Sequence, residues 1–143
     1  MNMPIMLSIQ GRQSYAGQDP ETIRLDTEGT MEYQDGGWNI AYEESELTGL
    51  TGVTTTFRVE PNKITLQRTG RLSSIMVFQE GVSHDSLYKT EYGALKITVC
   101  ALRMLYDITE DGGYIDIVYR ILIEDTEAGE IDYHLDIRAK QLA

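Results

Sequence analysis

Two residues of opposite charge, Glu44 and Arg68, stand where the surrounding pattern calls for apolar side chains, and they are the chain's best candidates for chemistry. Glu44 extends the alternation of Trp38, Ile40 and Tyr42, and Arg68 extends that of Ile64 and Leu66. If the apolar parity of each segment turns inward, both charges enter a shared interior. Strands running up, down and up would bring them to one end, roughly 10 Å apart across a single intervening strand, with Thr55 between them. An enclosed charge without a partner is costly, so each needs a counter-ion. One reading is an internal ion pair that sets register and plugs the mouth of a barrel. The other is an arginine that takes an anion or carboxylate at the mouth of a ligand cavity, with Glu44 as its resting counter-ion. Were the parity wrong, both side chains would be solvated.

Aromatic residues with a polar edge add to this picture. Trp38, Tyr42, Tyr88, Tyr92 and Tyr119 fall on or near inward parities, where such rings suit either a filled core or a cavity wall. The candidate lumen-binding set is therefore Tyr42, Glu44, Thr55, Arg68 and Tyr88.

Other constellations are weaker. His84-Asp85-Ser86 holds the three residue types of a hydrolase triad, but neighbours on a strand point apart and a triad must converge. The chain has no Gly-x-Ser-x-Gly elbow, phosphate-cradling glycine loop or His-Glu-x-x-His helix. His134 takes the parity of Asp132 and Asp136, which places it outside. One cysteine, Cys100, excludes an internal disulfide, and two histidines fall short of the usual structural zinc site. No cofactor, metal or catalytic residue is expected, and Glu44 alone could serve in an acid/base pair.

Composition narrows the partners. The 143 residues carry 23 acids against 12 Lys and Arg, a net charge of -11, which is the wrong sign for nucleic acid or anionic membrane surfaces. Between Asp107 and Asp136 ten acids face Arg120 alone, so most of that charge forms a solvated outer face or a docking patch. The first ten residues lack the basic and apolar runs of a signal peptide, and no segment reaches the roughly 20 apolar residues of a membrane helix. A cytoplasmic location is the expectation.

What must position these side chains is a series of strands. Ile23, Leu25, Thr27, Gly29, Met31 and Tyr33 alternate with Arg24, Asp26, Glu28 and Glu32, a period of two with one wet face. Asp35-Gly36-Gly37 then turns the chain, Val53 to Glu60 and Ile64 to Gln67 flank a turn at Pro61-Asn62-Lys63, and Ser74 to Glu80 reads as a further strand. Leu95, Ile97 and Val99 share one parity, whereas Leu102, Met104, Tyr106 and Ile108 share the other. A β-bulge near Cys100 or Ala101 reconciles them; a helix over Ala94 to Leu105 is the rival. Ile115 to Ile123 and Ile131 to Ile137 complete a set that begins with Ile5, Leu7 and Ile9. An antiparallel meander of this kind stacks or closes, and closure removes exposed edges. Gly29, mid-strand, suits a bend around a barrel corner.

The middle of the chain also carries a resemblance. Tyr42-Glu43-Glu44, Leu47-Thr48-Gly49, Gly52, Thr54-Thr55-Thr56 and Arg68-Thr69-Gly70 are followed by Met76-Val77-Phe78, Gly81 and Leu87-Tyr88-Lys89-Thr90-Glu91-Tyr92-Gly93. This pattern resembles the YwiB-like family, a bacterial domain of unknown function whose members resemble calycins, lipocalin-like meander barrels. The likeness covers most of the chain and is densest from Thr27 to Val99. Glu91 stands where the family commonly has proline, which leaves that turn less rigid. The resemblance implies a fold and no reaction, ligand or partner.

Together these observations predict one all-β domain over 1–143, an antiparallel meander barrel of about eight to ten strands, calycin-like in form. The leading expectation for function is a non-enzymatic module that binds a small amphipathic or anionic molecule in its lumen. The alternative is an interaction protein with a plugged barrel, acting through its acidic surface or as a homodimer.

Overall fold

Alternation of burial follows the alternation of residue type. Along the first strand Ile5, Leu7 and Ile9 are buried while Met6, Ser8 and Gln10 are not, and the pattern recurs at Val53, Thr55, Phe57 and Val59 and at Ile115, Ile117 and Tyr119. In the computed structural model, which describes residues 2–14, 19–44 and 51–140, ten strands result. They are β1 (Met3–Ser14), β2 (Glu21–Gln34), β3 (Gly37–Glu43), β4 (Val53–Glu60), β5 (Lys63–Gly70), β6 (Ser74–Phe78), β7 (Ser83–Thr90), β8 (Gly93–Thr109), β9 (Gly112–Ile123) and β10 (Thr126–Ala139).

Every pairing between named strands is antiparallel, in the order β6-β5-β4-β3-β2-β1-β10-β9-β8-β7. Chain neighbours therefore pair throughout, and β1 joins β10 with Leu7 opposite Ile137 and Gly11 opposite Tyr133. The remaining seam, between β6 and β7, is stitched at its two ends. Ser73 and Lys89 exchange backbone hydrogen bonds of 2.9 and 2.8 Å at one. At the other the Val82 amide donates to the Gln79 carbonyl at 3.0 Å, while the Gly81 amide ties this turn to β8 through the Ala101 carbonyl at 2.9 Å. The result is a nearly closed ten-stranded up-and-down barrel, consistent with a calycin-like fold. The inward side chains of all the strands except β7 supply one buried apolar cluster, with Phe57, Phe78, Ile115 and Leu135 almost wholly enclosed; Tyr88 of β7 packs against it.

Local irregularities have identifiable causes. The stretch Ala94 to Leu105 is strand, not helix, and pairs with both β7 and β9. Its register shifts between Ala101 and Arg103, so the bulge leaves Leu102 over and carries Met104 inward, one or two residues beyond the position expected from parity. Asp35 and Gly36 have φ of 53° and 80°, as a two-residue hairpin turn requires, and Asn62 at 63° turns β4 into β5. Tyr92 corrects the parity reading: it sits at the tip between β7 and β8 and is 91% exposed. Trp38 is half-buried and packs edge-on against Tyr33, with ring centroids 5.0 Å apart.

Candidate functional site

The ends of β1, β3, β5, β7 and β9 and the starts of the even-numbered strands gather at one end of the barrel. Beneath them is a cavity of about 280 Å³. Its wall includes four of the five residues expected from the sequence: Tyr42, Glu44, Arg68 and Tyr88. The fifth, Thr55, is completely buried and holds Glu44 from behind, donating its hydroxyl to Oε1 at 2.8 Å. Glu44 is itself only 7% exposed, and its backbone amide donates to the Val53 carbonyl at 2.9 Å, which anchors the residue just past the end of β3.

Arg68 stands opposite Thr55 on β4 and opposite Ser74 on β6. The expected ion pair with Glu44 is not formed: Arg68 makes no ion pair with a described residue, and its Nε is enclosed without a hydrogen-bond partner among them. Instead, Glu44 Oε1 accepts from the hydroxyl of Thr55, which stands on the strand between the two charges. The Ser74 hydroxyl is enclosed without a described partner as well.

Sequence reasoning placed Tyr133 on an inward parity but did not assign it to the site. Its hydroxyl meets that of Tyr42 at 3.1 Å, across the lumen from β10 to β3. Burial, then the neighbouring Tyr133 and the Glu44 carboxylate, push the Tyr42 phenol far above its usual range. Burial likewise raises Tyr133, although the nearby positive charge of Arg68 pulls in the other direction. Both phenols are therefore neutral at physiological pH, and with Tyr42 donating to Tyr133 it is the Tyr133 proton that is left to donate. The rest of the wall is largely apolar, with Ile9, Ile23, Leu25, Ile97, Ile121 and Ile131 among its residues. Gly11, which the sequence reading also passed over, leaves its part of the wall open: a Cβ there would meet only the Tyr133 ring, at 3.8 Å.

The remaining candidates separate. His84 Nε2 is 2.6 Å from Gln79 Oε1, whereas Asp85 accepts from Thr98 at 2.7 Å, so the His-Asp-Ser triplet diverges as strand geometry demands. His134 is partly exposed, 3.1 Å from Asp136 and 4.0 Å from Asp116. Among the described residues no group of three or more His, Cys, Asp and Glu side chains is placed to hold a metal ion.

The Thr55 contact is testable by an isosteric change. Thr55→Val removes the hydroxyl that Glu44 uses while keeping its shape, and is expected to lower stability by about 2 kcal/mol, the scale of a hydrogen bond to a buried charge. Urea denaturation measures it; an unchanged midpoint would show that Glu44 does not depend on this donor.

An antiparallel up-and-down barrel with a partly polar internal cavity defines the class of protein. A family model described as a domain of unknown function, DUF1934, matches residues 7–137, and the chain belongs to that family. The chain is also similar in fold to the crystal structure of the ywiB protein from Bacillus subtilis, with a TM-score of 0.88, 21% identity, and coverage of 98% of this chain and 94% of that one. No curated protein matches the chain.

Proposed function

We propose that this chain is a non-enzymatic binding barrel that holds a small amphipathic or anionic molecule in its lumen. The observation that carries the reading is the cavity of about 280 Å³, apolar over most of its wall and polar where Glu44, Arg68, Tyr42 and Tyr133 meet. Binding sites for small molecules have this character, and its size lies just below their usual range of roughly 300–1,000 Å³, so the occupant is small. The plugged-barrel alternative calls for a packed interior, whereas this lumen, just short of the roughly 300 Å³ of a typical ligand site, leaves room for a small occupant. A catalytic reading lacks support, because the two phenols are shifted away from neutrality and are too weak as acids to cycle a proton there. Binding in the cytoplasm fits a chain with one cysteine and with no helix, among the described residues, long and apolar enough to cross a membrane.

Native mass spectrometry of protein purified from its own host tests the proposal directly: a co-purifying small molecule of constant mass is expected. Gly11→Leu supplies the control. Its side chain enters the cavity past an ordinary contact with Tyr133, so the variant is expected to fold with a Tm close to wild type and to lose the bound mass at least tenfold. Equal occupancy in Gly11→Leu would move the site elsewhere.

A further inference from the structure

We propose that the lumen selects a monocarboxylate, with its planar head on the Nη groups of the Arg68 guanidinium and a short apolar body against Ile23, Leu25, Ile121 and Ile131. This rests on the binding-barrel reading and names the chemistry of its ligand.

Three features converge on the assignment. The first is the arginine. A guanidinium presents its two Nη groups as a parallel pair of donors, matched in spacing to the two oxygens of a carboxylate. In this chain Nε is enclosed and meets no hydrogen-bond acceptor among the described residues, while the side chain forms part of the cavity wall. Nε itself is closed off from the cavity, so an oxyanion would meet the Nη groups, drawn by a guanidinium charge that no described carboxylate pairs and that is partly desolvated.

The second feature is the pair of phenols. Tyr133 is close enough to Arg68 for the guanidinium to ease its ionisation, and it shares a hydrogen bond with Tyr42. With Tyr42 donating to Tyr133, the Tyr133 hydroxyl keeps its own proton as a donor beside the arginine, and neither phenol adds negative charge.

The third feature limits the charge. Glu44 lines the same cavity, fixed in place by Thr55 and by its backbone bond to Val53. One carboxylate bound at Arg68 would share the site with that existing charge. A dianion, whether a phosphate monoester or a dicarboxylate, would set a second negative group against Glu44 in an enclosed, weakly screened space. The aliphatic part of the wall, Ile9, Ile23, Leu25, Ile97, Ile121 and Ile131, favours a hydrocarbon body over a second charged group. Single charge, planar head and short tail are thus specified by different residues.

The test uses the full chain, with hexanoate and benzoate as probes against hexanamide, hexan-1-ol, hexyl phosphate and adipate, read by calorimetry and ligand-observed NMR. Hexanoate is expected to bind at least tenfold more tightly than hexanamide, and adipate and hexyl phosphate more weakly than hexanoate. Arg68→Met is expected to cost hexanoate at least tenfold while leaving hexan-1-ol unchanged, and Glu44→Gln to narrow the gap between adipate and hexanoate. Should Arg68→Met fail to fold, the Arg68 guanidinium N–H resonances of the wild-type protein give the same information, shifting with hexanoate and not with hexan-1-ol. Equal binding of hexanoate, hexanamide and hexan-1-ol, all abolished by Gly11→Leu, would overturn the carboxylate assignment and leave the binding barrel standing. Adipate binding more tightly than hexanoate would overturn the single-charge limit. Failure of every probe, apolar ones included, would remove both readings.

Discussion

A Gly29→Val variant is expected to lose about 3 kcal/mol of stability, at the upper end of the usual cost of overpacking, and about 10 °C in Tm. Gly29 sits on the inward parity of β2, opposite Ile5 on β1 and Tyr42 on β3. A Cβ at this position would stand 2.5 Å from the Ala41 carbonyl oxygen, 3.0 Å from Leu7 Cδ1 and 3.3 Å from Tyr42 Cβ. The first of these is backbone in a paired strand and cannot rotate aside, so β2 and β3 would have to separate there. The strain also reaches the candidate site, because Tyr42 carries the hydroxyl that meets Tyr133. Thermal denaturation of Gly29→Ala and Gly29→Val measures the effect: alanine is expected to cost part of it and valine the whole. A valine variant as stable as wild type would mean that the strands are not held this closely.

The sequence marked Gly29 as a special position, a glycine in mid-strand away from any turn, but assigned it to a bend, whereas what the structure shows there is the close approach of the Ala41 carbonyl. Period-two alternation carried the strands and the inward set, since a strand offers its side chains only two directions. Even the bulge in β8 could be read, as a change of parity between Val99 and Met104. What escaped the sequence depends on contacts between distant segments. Tyr133 lies 91 residues from Tyr42, and nothing in either segment says that the hydroxyls meet across the lumen. Its parity, and the glycine opposite it at position 11, were the available signals; β1 was expected only as far as Ile9, so Gly11 was not weighed. The Glu44–Arg68 pair failed for a related reason. Parity correctly placed both at the same cavity but could not show that the Thr55 hydroxyl, on the strand between, reaches the carboxylate. The turn at Glu124 and Asp125 had no usual signature either. Two carboxylic residues adopt φ of 50° and 66° there, held by Lys96 of β8, whose amide donates to Glu124 and whose ammonium meets Asp125 at 2.8 Å.

Alkaline conditions are expected to unfold the barrel cooperatively, through Tyr42 and Tyr133. In the unfolded chain each phenol loses its proton near pH 10. In the folded chain burial is the main reason both are raised, reinforced at Tyr42 by Tyr133 and Glu44 and opposed at Tyr133 by the Tyr42 hydrogen bond and the Arg68 charge. A raised folded value means that the native state keeps protons the unfolded state releases. The stabilisation is therefore complete below about pH 10 and declines as pH climbs past it. A phenol that stays protonated in the folded chain contributes a slope of about 1.4 kcal/mol per pH unit above pH 10, so Tyr42 removes about 1.4 kcal/mol by pH 11 and Tyr133 adds to the loss in the same direction. Lys96 is raised by its hydrogen bond to Asp125 and shifts stability in the same direction, but its exposed ion pair adds little. Urea titrations at pH 8, 10 and 11 give the slope, and tyrosine absorbance is expected to jump at the unfolding transition. Combining Tyr42→Phe with Tyr133→Phe should flatten most of the decline between pH 10 and 11. A double variant that loses stability as steeply as wild type would place the cause outside the lumen.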